Sequence, residues 1–441
     1  MAKTRKETGQ GKPQVNMAFI GHIDHGKSTL VSRILLATGA IDPHLIQQYR
    51  KLAEEQGKPG FEFAYVMDDL PEERKRGVTI RAQIKEFDTR KHHFTISDAP
   101  GHEDYITNMI KGTSQAEAAV LLVDANDTFN KGIQPQTKEH IILAKTFGIE
   151  EMLVAVNKMD VANPPYSEDV YNTVVSNVTE LLGEVGYNDE QVRFVPISAY
   201  RDDNISAPSR NMEWYSGRPL LSLIDDFEPT KDYNNFPLRW AIREVMKVTR
   251  AGYIPVGYVF SGELKVGDDI VFMPGNHHAQ VRTLEEHQKK VNIARTGDPV
   301  GADLRVIGNW DKSSSTIRSG YVAGHASNPP TVAKNFTARI MVLNHPTEIY
   351  TGYAPIIHVH EASVKSIMQQ MLVKYDRGMN VVEKDPSSLQ NGDIADVVFR
   401  PLLPLVVEPV DVVPPLGRFA MRDSNRTVGA GMVLSVEPKE Y

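Results

Sequence analysis

The chain contains no cysteine among its 441 residues. That excludes a disulfide scaffold, thiolate zinc, iron–sulfur clusters and a cysteine nucleophile together. It also lacks any uninterrupted apolar run near the roughly 18 residues that a membrane-spanning helix requires. The N-terminal MAKTRKETGQGKPQ is basic but has no apolar core of the secretory kind, so a cytoplasmic location is the expectation. Positive charge is not in surplus either. Lys plus Arg number 49 against 56 Asp plus Glu, a net charge of −7. A protein that coats nucleic acid non-specifically is basic, so any nucleic-acid surface here must be a local patch. What remains is ordinary globular composition, 41% hydrophobic and 24% charged, which rules out wholesale disorder. The length exceeds one hydrophobic core and gives a prior of roughly two to four domains.

The hydrophobic pattern changes once along the chain. From Val15 to about Pro229, the apolar runs VNMAFIG, HHFTISD, AAVLLVD, MLVAVN and VRFVPIS alternate with amphipathic stretches such as STLVSRILLATG, QTKEHIILAKTFG and DVYNTVVSNVTELLGEVG. Nearly all-apolar strands alternating with helices predict an α/β domain, a parallel sheet with helices on both faces. Beyond Pro229 the segments IPVGYVFSG, GDDIVFM, FTARIMVL, YAPIIHVHEA and GAGMVLSV are short, β-rich and punctuated by Gly, Pro and Asn. These predict antiparallel barrels or sandwiches, and the length calls for two, with a seam near Pro329–Pro330. The expected domains are residues 1–230, 231–330 and 331–441.

GHIDHGKS, Gly21 to Ser28, fits G-x-x-x-x-G-K-[ST] at a strand-to-helix junction. In such a loop, here Gly21, His22, Ile23, Asp24, His25 and Gly26, successive N–H groups turn inward toward phosphate oxygens, and the helix opening near Lys27 adds its positive end. Lys27 is expected to reach the outer phosphates and the Ser28 hydroxyl, followed by Thr29, to hold Mg²⁺. DAPG ends another strand: Asp98 faces the same ion, and the Gly101 N–H meets a γ-phosphate. His102 stands where a residue orienting the attacking water belongs. In PEERKRGVTI, Thr79 offers a hydroxyl to Mg²⁺ and an N–H to the γ-phosphate, while the charged EERKR run reads as a solvated helix.

NKMD, Asn157 to Asp160, follows the strand MLVAV. The Asp160 carboxylate accepts from both N1–H and the 2-amino group of guanine, whereas adenine presents neither donor there. Asn157 braces the base loop, the Lys158 stem covers the ring face, and SAY (Ser198, Ala199, Tyr200) brings the Ala199 N–H toward the guanine O6. The order of these motifs selects GTP and GDP over adenine nucleotides.

Together GHIDHGKST, PEERKRGVTI, DAPGHEDY, NKMD and ISAY resemble the translational GTPases, in particular the elongation factor 1-alpha type of archaea and eukaryotes. The likeness extends through FEFAYVMDDLPEERKRGVTI, NMIKGTSQAEAAVLLVDA and PSRNMEWYSG to VLNHPTEIYTGYAPIIHVH and LGRFAMRDSNRTVGAG near the C-terminus. The resemblance implies a GTPase domain followed by two β-barrels. It implies a cytoplasmic monomer that carries aminoacyl-tRNA to the ribosome as a GTP complex and is recharged by a guanine nucleotide exchange factor. It also implies that His102 is the catalytic residue, and that Ser28 and Thr79 are Mg²⁺ ligands. In the last segment Arg418, Arg422 and Arg426 are candidates for tRNA phosphates or for structural pairing with acids.

Departures from the family pattern concentrate in the second domain. Tyr258 replaces a usual Arg, and Pro299 replaces a usual Asn that in the family contacts the aminoacylated end; proline has neither its amide side chain nor a backbone N–H. His287 retains the position that covers the amino acid, and Arg243-Glu244 keeps one acid of a polar pair. In the first domain Glu103 follows His102, and Arg81 stands where an Asp is usual. Two alternatives follow. One is a paralogue delivering a termination or ribosome-rescue protein, against which the short N-terminal lead counts. The other is the GTPase subunit of a sulfate adenylyltransferase, disfavoured by HPTEIYTGYAPIIHVH.

Overall fold

The fold is taken from a computed structural model. It describes residues 12–55, 57, 62–67, 83–98, 116–228, 233–248, 252–286, 289–312, 316–376, 379–423 and 426–440. The chain divides into two compact units, residues 1–230 and 231–441.

The first unit is built on a six-stranded sheet of β1 (Gln14–Gly21), β2 (Gln83–Asp88), β3 (His93–Asp98), β4 (Ala118–Asp124), β5 (Glu151–Asn157) and β6 (Val192–Pro196). Their order is β2-β3-β1-β4-β5-β6. Neighbours are parallel except at the edge, where β2 runs antiparallel to β3. The five apolar runs are the five parallel strands. All seven residues of β4 are buried, as a strand covered on both faces requires. The antiparallel β2 departs from the purely parallel expectation. It is an edge strand, where the sequence QIKEFD holds two apolar residues among polar and charged ones instead of running apolar throughout.

The helices are α1 (Lys27–Ala37), α2 (Pro43–Glu55), α3 (Ala64–Met67), α4 (Ala125–Lys131), α5 (Pro135–Thr146), α6 (Glu168–Val185) and α7 (Leu220–Ile224). Leu30, Val31 and Ile34 of α1 share one core with Met17 and Phe19 of β1 and with Leu220 and Ile224 of α7. On the remaining elements, α5 packs against β1 and β4, and both α4 and α5 pack against α6. Ser167 caps α6 by accepting from the Val170 N–H at 3.2 Å, and left-handed Gly186 ends it. Because β1 lies between β3 and β4, strand order reverses there. The carboxyl ends of β1, β4, β5 and β6 open at one edge beside that switch point, the place where open α/β sheets bind ligands.

The second unit holds two closed antiparallel barrels. The first runs Asp269–Met273, Val322–His325, Arg239–Val248, Gly252–Ser261, Pro299–Val306 and His277–Glu286, closing by pairing of the first with the last; Lys289–Val291 adds an outer strand. The second runs Ile356–Val359, Arg418–Asp423, Arg426–Pro438, Ala333–Val342, Ile394–Pro401 and Ala362–Tyr375, closes likewise, and carries Val381–Lys384 outside. Closure removes the unpaired edges that a twisted sheet otherwise exposes. Trp240 and Phe272 fill the first core, and Phe336, Phe399 and Phe419 fill the second.

Between the barrels lies a buried ion pair. Arg239 Nε donates to Glu408 Oε1 at 2.9 Å, both residues under 5% exposed. The guanidinium also donates to the carbonyls of Leu238 and Asn328, and Glu408 accepts from the Thr331 N–H and hydroxyl, each at 3.0 Å. Deleting one partner of such a pair strands a buried charge, typically at about 3–5 kcal/mol. Among the described residues no helix is long and apolar enough to cross a membrane.

Candidate functional site

β1 ends at Gly21 and the chain turns through His22–Gly26 into α1. The turn requires positive φ at three positions, Gly21 (138°), Asp24 (65°) and Gly26 (91°). Gly26 is the N-cap of α1 and has no side chain with which to cap it, so the first N–H groups of the helix face the loop. The loop is closely fitted. A Cβ on Gly21 would lie 2.4 Å from the Leu122 carbonyl oxygen, and one on Gly26 would lie 2.5 Å from Asn157 Nδ2. Lys27 is buried, and its ammonium donates to the carbonyls of Gly21 (2.9 Å) and His22 (2.8 Å), which folds it back inside the loop. A tight left-handed turn, glycines with no room for a side chain and an interior ammonium suit a polyphosphate. His22, Ile23, Ser28 and Thr29 are partly exposed and Asp24 is exposed.

Two buried histidines anchor the cradle to the rest of the domain. His140 of α5 accepts the Gly21 N–H on Nδ1 at 3.1 Å. His25 makes a 3.1 Å hydrogen bond between Nδ1 and the Leu122 carbonyl, and its ring meets that of His22 edge-on at 5.2 Å. An Nδ1 that accepts from an N–H must be unprotonated, so His140 carries its proton on Nε2. Burial lowers the His140 pKa from 6.5 to about 3 and the His25 pKa to about 4, with the Lys27 charge acting in the same direction. His140 lies 119 positions from its partner, and nothing in the sequence motif signals the contact.

The base end is assembled by β5 and β6. Asn157, buried at the end of β5, donates from Nδ2 to the His25 carbonyl at 2.8 Å and accepts the Ala199 N–H on Oδ1 at 2.9 Å. Asn157 thus links the phosphate loop to the 198–200 loop. The Ala199 N–H, expected to face a guanine O6, is held by Asn157 in this structure. Lys158 adopts φ 64° and pairs with Asp124 at 2.9 Å; Asp124 in turn caps α4 by accepting from the Asp127 N–H. Asp160 is partly exposed in the short 3₁₀ turn Met159–Val161. Ser198 is buried, its hydroxyl accepting from the Arg201 N–H, and Tyr200 is exposed. Behind this loop Asp203 accepts from the Tyr166 hydroxyl, Ser209 Oγ and Asn211 Nδ2, while Trp214 Nε1 donates to the Tyr166 carbonyl. The PSRNMEWYSG segment is therefore the buttress of the base loop, a function its composition does not announce.

Asp98 is the last residue of β3, in register with Phe19 of β1, which puts its backbone at the same edge of the sheet. Thr79, Gly101, His102, Arg81, Glu103 and the EERKR run lie outside the described residues, as does His287. In the barrels, Tyr258 is buried and directly opposite Pro299 across adjacent strands. Arg422 is buried, so it is part of the barrel and not an exposed phosphate contact; Arg426 is exposed and Arg418 partly so.

A phosphate loop at the switch point of a parallel sheet, with an Asn-Lys-x-Asp turn on the neighbouring strand end, defines a P-loop GTPase. Residues 12–230 match the model of the elongation factor Tu GTP binding domain, 252–321 that of elongation factor Tu domain 2, and 335–434 that of the GTP-eEF1A C-terminal domain-like family. The chain is 47% identical over 430 residues to elongation factor 1-alpha of Methanocaldococcus jannaschii, covering 97% of this chain and 99% of the relative. It is also 47% identical over 432 residues to elongation factor 1-alpha of Saccharolobus solfataricus, at 97% and 98% coverage. Among solved structures, the S. cerevisiae Ski7 GTPase-like domain shares the fold with a TM-score of 0.79 at 15% identity, over 96% of this chain and 97% of that one. The chain belongs to the elongation factor 1-alpha family of translational GTPases.

The histidine environment has a pH consequence. Between 6.5 and the lowered folded values, the unfolded chain binds protons that the folded chain refuses. Stability therefore falls as pH drops below about 6.5, by up to about 1.4 kcal/mol per pH unit for each histidine. His140→Asn keeps an acceptor near the Gly21 N–H and removes the titration. Urea unfolding from pH 6.5 to 4.5 is expected to show a slope shallower by about one proton in this variant. Equal slopes would mean that His140 is not held neutral by the cradle.

Proposed function

We propose that this translational GTPase binds aminoacyl-tRNA in its GTP form, delivers it to the ribosomal A site in the cytoplasm, and releases it on hydrolysis. The observation that carries this reading is the extent of the likeness. It runs over 97% of the chain and 99% of a relative named elongation factor 1-alpha, with all three modules matched in order.

In this reading the loop Gly21–Gly26 wraps the phosphates and Lys27 moves its donors onto the outer two. The hydroxyls of Ser28 and Thr79 and the carboxylate of Asp98 are the residues that would hold Mg²⁺, an oxygen chemistry that this ion prefers. Held by those oxygens, Mg²⁺ would supply charge neutralisation for the phosphates. The Gly101 N–H meets the γ-phosphate, and His102 orients the attacking water. Asp160 selects guanine through N1–H and the 2-amino group, with the stem of Lys158 along the ring and Tyr200 at its exposed side. Isolated GTPases of this class hydrolyse slowly and rely on a partner to complete the site; here that partner is the ribosome. The chain acts as a monomer and is recharged by an exchange factor.

Three measurements test the proposal. Spontaneous deacylation of aminoacyl-tRNA should slow in the presence of the protein with GTP and not with GDP. No protection in either state would favour the paralogue that delivers a protein. His102→Ala should keep GTP affinity within about twofold while ribosome-stimulated turnover falls by at least about 10²-fold, the scale of a lost acid–base or water-positioning group. Undiminished stimulated turnover removes His102 from the chemistry. Asp160→Asn should move preference from guanine toward xanthine, because an amide donates to the additional carbonyl; a variant that still prefers GDP to XDP in competition rules out the assigned role.

A further inference from the structure

Arg33 lies on α1, two turns beyond the phosphate loop, and reaches the opposite end of the nucleotide site. Its Nε donates to the Ala199 carbonyl at 3.1 Å and its Nη2 to the Tyr200 carbonyl. The guanidinium carbon sits 4.1 Å above the Phe63 ring, and that ring meets Tyr200 edge-on at 6.3 Å. The Phe63 carbonyl is itself held by the neighbouring Ser32 hydroxyl at 2.6 Å. The carboxylates of Asp202 and Glu62 both act on the Arg33 charge. Few surface arginines have a planar fork on two successive carbonyls, an aromatic floor and flanking acids. The arrangement uses the rigid fork that lysine lacks.

The consequence concerns Ala199. Its N–H is fixed from β5 by Asn157, and its C=O is fixed from α1 by Arg33. Asn157 also bonds the phosphate loop, and α1 is the direct continuation of that loop. The base loop is therefore tied to the phosphate cradle by two independent routes, one on each side of the same residue. We propose that Arg33 is a positioning residue for base recognition: it fixes the 199–200 backbone against which the guanine is read. This inference rests on the reading above that residues 157–160 and 198–200 hold the base.

The full-length protein carrying Arg33→Gln should release GDP faster and bind it about tenfold more weakly, the scale of losing charge-assisted hydrogen bonds. Affinity for inorganic pyrophosphate, which probes the cradle alone, should not change, so the preference for GDP over ADP shrinks by the same factor. Arg33→Lys should resemble Arg33→Gln, since one ammonium cannot span both carbonyls from above the ring. Phe63→Leu, which leaves the fork but removes its floor, should weaken GDP in the same direction by about threefold. Unchanged GDP release in Arg33→Gln overturns the proposal, as does wild-type behaviour in Arg33→Lys. Equal weakening of GDP and pyrophosphate also overturns it, because Arg33 would then merely stabilise α1. If Asp160→Asn alters base preference while Arg33→Gln does not, only this inference fails. If neither does, the assignment of the base site itself fails.

Discussion

The side chain of Asn157 faces two backbone groups at once, the His25 carbonyl of the phosphate loop and the Ala199 N–H of the base loop. The residue is buried, so each group it satisfies would otherwise be stranded away from water, at about 1–3 kcal/mol apiece. The bridge also explains Gly26 in a way the phosphates alone do not. A Cβ there would collide with the Asn157 amide at 2.5 Å, so the glycine is required by the protein's own packing as well as by the left-handed turn. Phosphate loop and base loop are set relative to one another through this amide, with Arg33 holding the other side of Ala199.

Strain gathers around the same bridge. Asp24 and Lys158 both adopt left-handed backbone conformations that cost a non-glycine residue of the order of 1 kcal/mol or more. Each is compensated locally. The loop carrying Asp24 is pinned by His140 on the Gly21 N–H and by the buried Lys27, while Lys158 is held by Asp124. Asp124 performs two tasks, since its other oxygen caps α4. A chain that holds such conformations at one sheet edge gains backbone donors and side chains aimed at a common point, which is what recognition of a phosphorylated nucleotide requires.

The buried parallel strands were legible because burial on both faces leaves an uninterrupted apolar run, as in AAVLLVD, that few other structures demand. The glycines of Gly21–Ser28 were legible because the left-handed turn they permit is a local property of the chain. The edge strand Gln83–Asp88 was not, since Ile84 and Phe87 are its two apolar residues and the charged neighbours break both the run and the alternation. Nor were His140 and Arg33 legible as parts of the site. Their partners are 119 and 166 positions away, and a histidine or arginine on an amphipathic helix has no local mark of what it touches. The Ala199 N–H illustrates the same limit, since only the folded chain shows that Asn157 has engaged it.

The two barrels raise a mechanical question that Arg239 answers. Each barrel has its own closed sheet and its own aromatic core, and nothing in their separate folds requires them to stay together. The buried pair with Glu408 does, because parting the barrels at that point would leave two charges without partners in a place from which water is excluded. The linker is bound into the same knot through Asn328 and Thr331, so a hinge motion there would break at least four hydrogen bonds together. A loosely tethered pair would absorb a displacement of either member by flexing between them. This pair transmits it instead, so whatever moves one barrel carries the other, and residues 231–441 behave as one compact unit built from two closed sheets.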